Sequence, residues 1–180
     1  MTTVEPIRDI KVLQRIKEFL FEKNYRDYAL FCLGINSGLR VSDILNLNVE
    51  DVRNKDFIII SEQKTGKFKR FPINKNLKMI LEKITNNRKP NEPLFLSKNK
   101  NRLNRIRVYE VIKEACSCAA LDANIGTHTM RKTFGYHHYK QFKDVALLQK
   151  ILNHSSSNTT LRYIGIEQDE IDFSYMNFML

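Results

Sequence analysis

The spacing of apolar residues in the first part of the chain predicts two packed helices. After Asp9, which stands where a helix N-cap belongs, apolar residues recur every three or four positions through "IKVLQRIKEFLFEKN". The next segment, "YRDYALFCLGINS", is apolar nearly all round, as expected of a central helix. Gly38 follows it, and a glycine suits the left-handed turn that ends a helix. The apolar stripe of the first helix comprises Leu13, Ile16 and Leu20.

A strand-like pattern comes after a third, short helical segment. That helix is expected in "SDILNL", with Ser42 as its cap. The runs "DFIII" and "KRFPI" flank "SEQKTGK", which predicts a hairpin with an exposed tip. The segment "VEDVR" is expected to add another strand, so the sequence predicts a small three-stranded antiparallel sheet.

Helical periodicity returns in the second half of the chain. It is clear in "KNLKMILEKITNN", in "RIRVYEVIKEACSCAAL" and in the apolar "DVALLQKIL". Another helix is expected to open at Thr127 and to run through "HTMRKTFGYHHYKQF". Because no internal repeat, low-complexity tract or domain break interrupts the pattern, one domain is predicted over residues 1–180. Its fold class is α+β, mainly α.

The chain carries a strong excess of positive charge. Its 30 Lys and Arg residues against 20 Asp and Glu residues give a formal net charge of +10. This balance favours partners that carry phosphates, because neutralising a phosphate backbone releases counterions. The alternative is a solvated lysine-rich surface produced by the codon bias of an AT-rich genome, and composition alone does not decide between the two.

The cysteines and the first residues indicate a reducing compartment. Cys116 and Cys118 lie two apart in a helical pattern, about 200° around the axis, which is not the spacing of a metal clip. With Cys32 they are expected to be reduced thiols of a cytoplasmic protein. The first residues lack the apolar core of a signal peptide, and no apolar run approaches membrane-spanning length. No metal and no cofactor is expected.

Several chemically active side chains stand at helix starts, loops and turns. Arg40 lies between two helices, Lys64 lies at the hairpin tip, and Tyr163 ends the polar stretch "NHSSSNTTLRY". His128 and Arg131 are three positions apart in the first turn of a helix, so their side chains share a face. Taken singly, each has an ordinary alternative, such as a solvated cation or a tyrosine at the edge of the core. The full set is Arg40, Lys64, His128, Arg131, His154 and Tyr163.

Together these groups suit the chemistry of a phosphodiester. Two arginines can hold the nonbridging oxygens by charge-assisted hydrogen bonds, and histidines can donate to the same oxygens or move protons. A lysine can protonate a departing alkoxide, and a phenolic oxygen can attack phosphorus. No acidic cluster suited to Mg²⁺ accompanies the set, so the guanidinium groups would do the electrostatic work of a metal ion.

Four motifs between about Leu30 and Gly165 resemble the catalytic domain of the tyrosine recombinases, the phage integrase family. The segment "SGLRVSDILNL" is similar to the first arginine box, and "QKTGKFKRFPI" is similar to the β-hairpin that carries the catalytic lysine. "HTMRKTF" resembles the His-x-x-Arg box, and "LNHSSSNTTLRYIG" resembles the last box, with its histidine and its tyrosine nucleophile. The four occur in the order and spacing of the family.

The resemblance implies site-specific breakage and rejoining of duplex DNA, which we expect to serve a mobile element. Tyr163 would attack the scissile phosphate to give a 3′-phosphotyrosyl link and a free 5′ hydroxyl. Because the bond energy stays in this link, the 5′ hydroxyl of another strand can reverse the step without ATP. The polar stretch before Tyr163 is expected to be flexible, so that the tyrosine can swing towards the phosphate.

The other motif residues receive their roles from the same resemblance. Lys64 would act as the general acid on the leaving 5′ oxygen, and His128 would assist proton transfer at the tyrosine. The phosphoryl oxygens would be stabilised by Arg40, Arg131 and His154.

Three departures from the family pattern leave the required groups in place. In the first, "HTMRKT" stands where the family more often has an acidic-Leu-Arg-His sequence, but the arginine is kept. Asp43, the expected support of the first arginine, stands where the family more often has glutamate and is one methylene shorter. Asn153 replaces a frequent glycine before the last histidine, and asparagine tolerates left-handed backbone well.

The resemblance also implies partners and flanking segments. Residues 1–9 resemble an interdomain linker remnant, and residues 167–180 form a C-terminal tail that docks either on its own domain or on a neighbouring protomer. The expected partner is a double-stranded DNA recombination site, bound by a homotetramer of a longer, full-length protein. An isolated catalytic domain is expected to bind DNA weakly and in a salt-sensitive way.

Three other functions fit parts of the sequence. A type IB topoisomerase uses similar chemistry to relax supercoils without exchanging partners. A non-catalytic DNA-binding accessory module suits the charge but has no use for a nucleophile. A helical structural protein with a lysine-rich surface would leave the order of the motifs unexplained.

Overall fold

The computed structural model of the protein describes residues 4–61, 66 and 68–179, with the backbone only for residues 167–170. The first helices are α1 (Ile10–Lys23), α2 (Tyr25–Ser37) and α3 (Val41–Asn46), followed by a 3-10 helix (Val49–Asp51). Strands β1 (Phe57–Ser61) and β2 (Phe68–Pro72) come next. The remaining helices are α4 (Lys75–Thr85), α5 (Arg105–Cys118), α6 (Thr129–Phe142), α7 (Val145–Leu152), α8 (Ser157–Ile164) and α9 (Ile166–Asn177).

The first two helices begin and end as their sequence predicts. The carboxylate of Asp9 accepts hydrogen bonds from the backbone amides of Lys11 and Val12, which caps α1. Helix α2 ends at Gly38, whose φ of 62° lies in the left-handed region. The predicted stripe of α1 is buried against the core. Both helices and the mainly helical fold class are therefore confirmed.

The sheet differs from the prediction in one respect. Strands β1 and β2 pair antiparallel, with Ile58 opposite Phe71 and both side chains buried. Among the described residues the sheet has two strands, and the predicted third strand in "VEDVR" is wrong. The backbone amide of Asn48 donates to Asp51 Oδ2 at 2.7 Å, and this capping box folds the segment into the 3-10 helix instead.

Three local differences concern the segments that carry the candidate chemistry. Helix α3 begins at Val41, so Arg40 occupies the N-cap position and Ser42 lies inside the first turn rather than capping it. Helix α6 begins at Thr129, with His128 at its N-cap position. The polar stretch before Tyr163 forms helix α8 instead of a flexible connector, because Ser156 caps it by accepting a hydrogen bond from the Thr159 amide.

The apolar residues form two clusters whose junction carries the site. The larger cluster is built by α1 to α5 and the sheet, and Met130 of α6 joins it. The smaller cluster is built by α6 to α9. Its buried members are Tyr139, Leu148, Leu152, Ile164 and Ile166. Helix α6 touches both clusters, so residues on α6 lie at their boundary.

The segment before α1 packs on α6. The side chain of Ile7 is fully buried, its backbone amide donates to Thr133 Oγ1 at 2.9 Å, and its carbonyl lies 2.9 Å from His137 Nε2. At the other end of the chain, α9 leaves large apolar side chains exposed. They are Ile171, Phe173, Tyr175 and Met176, followed by Phe178 and Met179 beyond the helix. Within the described ranges, no helix is long and apolar enough to cross a membrane.

Candidate active site

Tyr163 is held in the last turn of α8, at the junction of the two apolar clusters. The neighbouring residue Ile164 is fully buried, and Gly165 ends the helix in the left-handed conformation with a φ of 72°. The tyrosine itself is half-buried and packs against the smaller cluster. Because its helix is anchored on both sides, the phenol has a defined place in this structure.

Two histidines flank the phenol. His128 Nδ1 lies 3.2 Å from the Tyr163 hydroxyl, within hydrogen-bonding distance. The ring of His154 lies edge-to-face against the Tyr163 ring, with centroids 4.8 Å apart and planes at 73°. His154 Nδ1 is also 3.2 Å from Thr160 Oγ1, which fixes the orientation of that imidazole. Asn153 before it has a φ of 53°, as the sequence predicts for a residue in place of glycine.

Arg131 is the buried cation at the centre of the site. It is 2% exposed and donates to the carbonyl oxygens of Gly38 and Leu152. These carbonyls lie at the C-terminal ends of α2 and α7, where helix dipoles favour a positive charge. One guanidinium therefore joins the two helix ends to the phenol, with which it also forms a hydrogen bond.

Arg40 and Asp43 form an ion pair near the phenol. Arg40 Nη1 and Asp43 Oδ2 are 4.0 Å apart, an ion pair that is longer than a hydrogen bond. The Asp43 side chain is nearly inaccessible to solvent, while that of Arg40 is partly exposed. The Arg40 guanidinium thus lies at the surface of the site, and the carboxylate of Asp43 lies beneath it.

The charges around the phenol shift its ionisation and that of His128. Burial raises the pKa of Tyr163, whereas Arg131 and, more weakly, Arg40 lower it. Burial also lowers the pKa of His128, and the positive charges of nearby residues, Arg131 first among them, lower it further. His128 is therefore biased towards the neutral form, which can accept the phenolic proton.

Lys132 is a member of the site that sequence reasoning missed. It follows Arg131 on α6, is only 6% exposed, and places its Nζ 4.9 Å from the centroid of the Tyr163 ring. Burial lowers the pKa of this lysine, and the charge of Glu5 opposes that shift. The only sequence signal was its position beside Arg131, which does not reveal that the side chain points inward.

The structure thus brings together five of the six predicted site residues, namely Arg40, His128, Arg131, His154 and Tyr163. The predicted general acid, Lys64, lies outside the described residues. Its hairpin is represented by the paired strands β1 and β2. In the part of the chain that is described, no group of three or more His, Cys, Asp or Glu residues is placed to hold a metal ion.

Comparison with known proteins gives the family. The profile of the phage integrase family matches residues 9–170. The probable integrase/recombinase YoeC of Bacillus subtilis is 48% identical over 99% of this chain and 98% of its own length. The tyrosine recombinase XerA of Pyrococcus horikoshii is 34% identical over 79% of this chain, which spans only 51% of that protein.

Solved structures show the same fold. The crystal structure of XerA recombinase superposes with a TM-score of 0.76 at 20% identity, covering 100% of this chain and 68% of that one. A lambda integrase tetramer bound to a Holliday junction gives a TM-score of 0.73 at 17% identity, covering 91% of this chain and 49% of that one. The chain belongs to the phage integrase family, and it is a site-specific tyrosine recombinase that cleaves and rejoins DNA.

Proposed function

We propose that Tyr163 is the nucleophile of this recombinase and that it forms a 3′-phosphotyrosyl link with the cleaved strand. The phenolic oxygen forms a bond to phosphorus, the bond from phosphorus to the 5′ oxygen breaks, and the phenolic proton passes to His128. The observation that carries this proposal is the position of the Tyr163 hydroxyl, 3.2 Å from His128 Nδ1 and hydrogen-bonded to Arg131.

The remaining residues stabilise the phosphate or protonate the leaving group. Arg40, Arg131 and His154 stabilise the charge that develops on the nonbridging oxygens. Arg131 has five N–H donors, so the two carbonyls that it already contacts leave donors for a phosphate. Lys64 protonates the departing 5′ oxygen, a role that rests on the family motif alone. In this scheme no divalent ion is needed, because guanidinium groups carry the positive charge.

The proposal is tested with a nicked suicide duplex that carries the recombination site, which traps the protein–DNA link. The wild-type protein is expected to form a covalent adduct, and Tyr163→Phe is expected to form none. Tyr25→Phe, a half-buried tyrosine at the start of α2, is the matched control and should react as the wild type. An adduct in Tyr163→Phe would move the nucleophile elsewhere.

We further propose that a homotetramer acts on the DNA and that residues 167–180 dock on a neighbouring protomer. The exposed apolar side chains at the end of the chain support docking, because such surfaces are costly to leave in water. Deletion of residues 167–180 should leave adduct formation on a half-site intact but abolish assembly of four protomers, as measured by light scattering. Unchanged assembly would place the tail on its own domain.

The DNA site is proposed to belong to a mobile element, which agrees with the name integrase/recombinase given to YoeC. Recombination between two such sites on one plasmid should give resolved circles. Relaxation of any supercoiled plasmid, with no exchange between sites, would instead indicate a topoisomerase-like activity. Binding without cleavage would indicate an accessory module.

A further inference from the structure

The burial of Lys132 is not explained by the reaction scheme above. Its side chain is 6% exposed, although an ammonium loses much hydration when it leaves water. Among the residues whose side chains are described, no carboxylate forms an ion pair with its Nζ. Glu5 supplies only a longer-range attraction. An apolar side chain would fill the same space with less desolvation, so the charge calls for a functional account.

The contact that Lys132 does make is with the proposed nucleophile. Its Nζ lies 4.9 Å from the centroid of the Tyr163 ring, which is within the range of a cation–π interaction. Such an interaction is stronger where the cation is desolvated. The hydroxyl of the same ring is within hydrogen-bonding distance of His128, and the ring of His154 makes an edge-to-face contact with it.

We propose that Lys132 is a positioning residue for the nucleophile: its buried ammonium holds the face of the Tyr163 ring, so that the phenolic oxygen stays beside His128 and Arg131. The inference rests on the assignment of Tyr163 as the nucleophile. The same ammonium attracts the phenolate that forms as the proton leaves, so it favours ionisation of the phenol as well as its placement.

The test compares Lys132→Met with Lys132→Arg in single-turnover cleavage of the nicked suicide duplex at saturating DNA concentration. Methionine keeps much of the side-chain length but removes the charge, and arginine restores a cation. For Lys132→Met we expect a cleavage rate about tenfold lower at neutral pH, with DNA affinity changed by less than about twofold. The pH at which the cleavage rate increases should also be higher in Lys132→Met than in the wild type, because the phenolate has lost a nearby positive charge.

Two variants complete the comparison. Lys132→Arg is expected to recover most of the rate and the wild-type pH profile. Lys143→Met is the matched control, because Lys143 Nζ lies 5.3 Å from the ring centroid of Tyr139 but is exposed. Its rate and pH profile should equal those of the wild type.

Two outcomes would overturn the proposal. One is a wild-type saturating rate and pH profile in Lys132→Met. The other is a loss of DNA affinity with an unchanged saturating rate, which would make Lys132 a phosphate contact instead.

A second measurement covers the case in which Lys132→Met does not fold. Lysine labelling with mass spectrometry should find Lys132 protected in the wild type and in Tyr163→Phe, which keeps the ring, but reactive in Tyr163→Ala. Equal labelling in the two tyrosine variants would overturn the contact. Adduct formation by Tyr163→Phe would refute the nucleophile assignment separately, since it does not depend on the labelling result.

Discussion

At the scale of single residues, Arg131 combines a structural and a chemical role. Its guanidinium donates to the carbonyls of Gly38 and Leu152 and also to the phenol of Tyr163. Arg131 is 2% exposed. A change that removes its hydrogen-bond partners, or the planar guanidinium that reaches them, would therefore leave a buried charge without hydrogen bonds. The residue that polarises the phosphate in the proposed reaction is thus also the residue that joins two helix ends.

This dual role predicts the effect of Arg131→Lys. Lysine keeps the charge, but its single ammonium cannot reproduce the planar fork that reaches both carbonyls. We expect a loss of about 2–4 kcal/mol in the free energy of unfolding, measured by urea titration, together with loss of adduct formation. Arg15→Lys is the control, since Arg15 donates to a single carbonyl, that of Ala119, near the surface. Its unfolding free energy should change by less than about 1 kcal/mol.

The lowered pKa of His128 predicts how the stability of the protein depends on pH. Burial and nearby cations lower the pKa of this histidine in the folded protein below its ordinary value of 6.5. The unfolded chain therefore binds the proton more readily, so this contribution to stability is complete above pH 6.5 and is lost as the pH falls towards the folded pKa. Urea titrations should show the decline below that pH, and His128→Gln should reduce it. Burial also lowers the pKa of His138, so part of the decline in stability at low pH is expected to remain in His128→Gln.

The residue scale also shows what a sequence can reveal about a site. Arg40, His128 and Tyr163 were predicted because their motifs resemble those of a family, and the structure brings them together. Lys132 was missed because nothing in the sequence indicates that its ammonium is buried. Lys64 remains a prediction.

At the scale of elements, the close contact between α6 and α8 positions the nucleophile. A Cβ added at Gly135 of α6 would lie 2.7 Å from Ile164 Cγ2 and 3.4 Å from Leu152 Cδ1. Ile164 follows Tyr163 directly, and its branched side chain is fully buried. Any side chain at Gly135 would therefore push the helix that carries the tyrosine away from Arg131.

This contact predicts that Gly135→Ala is more harmful than an alanine elsewhere on a helix. We expect a loss of about 1–3 kcal/mol from overpacking and a fall in the cleavage rate, since α8 must shift. The control is Gly34→Ala, whose Cβ would meet the side chain of Met130, with Sδ 2.6 Å and Cβ 3.0 Å away, where α2 packs on α6. Gly34→Ala is expected to lower stability, measured by urea titration, but to keep the cleavage rate per folded molecule. Equal rate losses in both variants would contradict the role given to the α6–α8 contact.

The elements differ in how well their sequences specify them. Helix α1 was predictable because its cap and its apolar stripe agree. The third strand was predicted wrongly. Its residues also suit a strand, but the Asn48–Asp51 capping box folds them into a 3-10 helix. Helix α8 was hidden by its serines and threonines, which are poor helix formers, and it depends on the Ser156 cap and the burial of Ile164.

At the scale of the whole molecule, the site lies where two apolar clusters meet, and the segment before α1 packs across that region. Ile7 is fully buried and hydrogen-bonds to α6, while the Arg8 guanidinium donates to the Gly165 carbonyl at 3.1 Å. The segment therefore contacts both the helix that carries Arg131 and the end of the helix that carries Tyr163. Packing of residues far apart in sequence, which periodicity alone does not reveal, completes the site.

The net charge of +10 belongs to the molecule as a whole and predicts how it binds DNA. Each neutralised phosphate releases condensed counterions, so the logarithm of the binding constant should fall linearly with the logarithm of salt concentration, by about 0.9 per contact. With about six phosphate contacts, affinity for a short duplex would fall about a thousandfold between about 50 and 200 mM salt. Fluorescence anisotropy measures this slope directly.

Arg40→Gln should reduce the slope by about one contact because Arg40 faces the proposed phosphate. Lys83→Gln should leave the slope unchanged, because that lysine lies over the rings of Phe21 and Tyr25 in the groove between α1, α2 and α4. A slope near zero, or an equal reduction in both variants, would mean that binding does not depend on a phosphate held at this site.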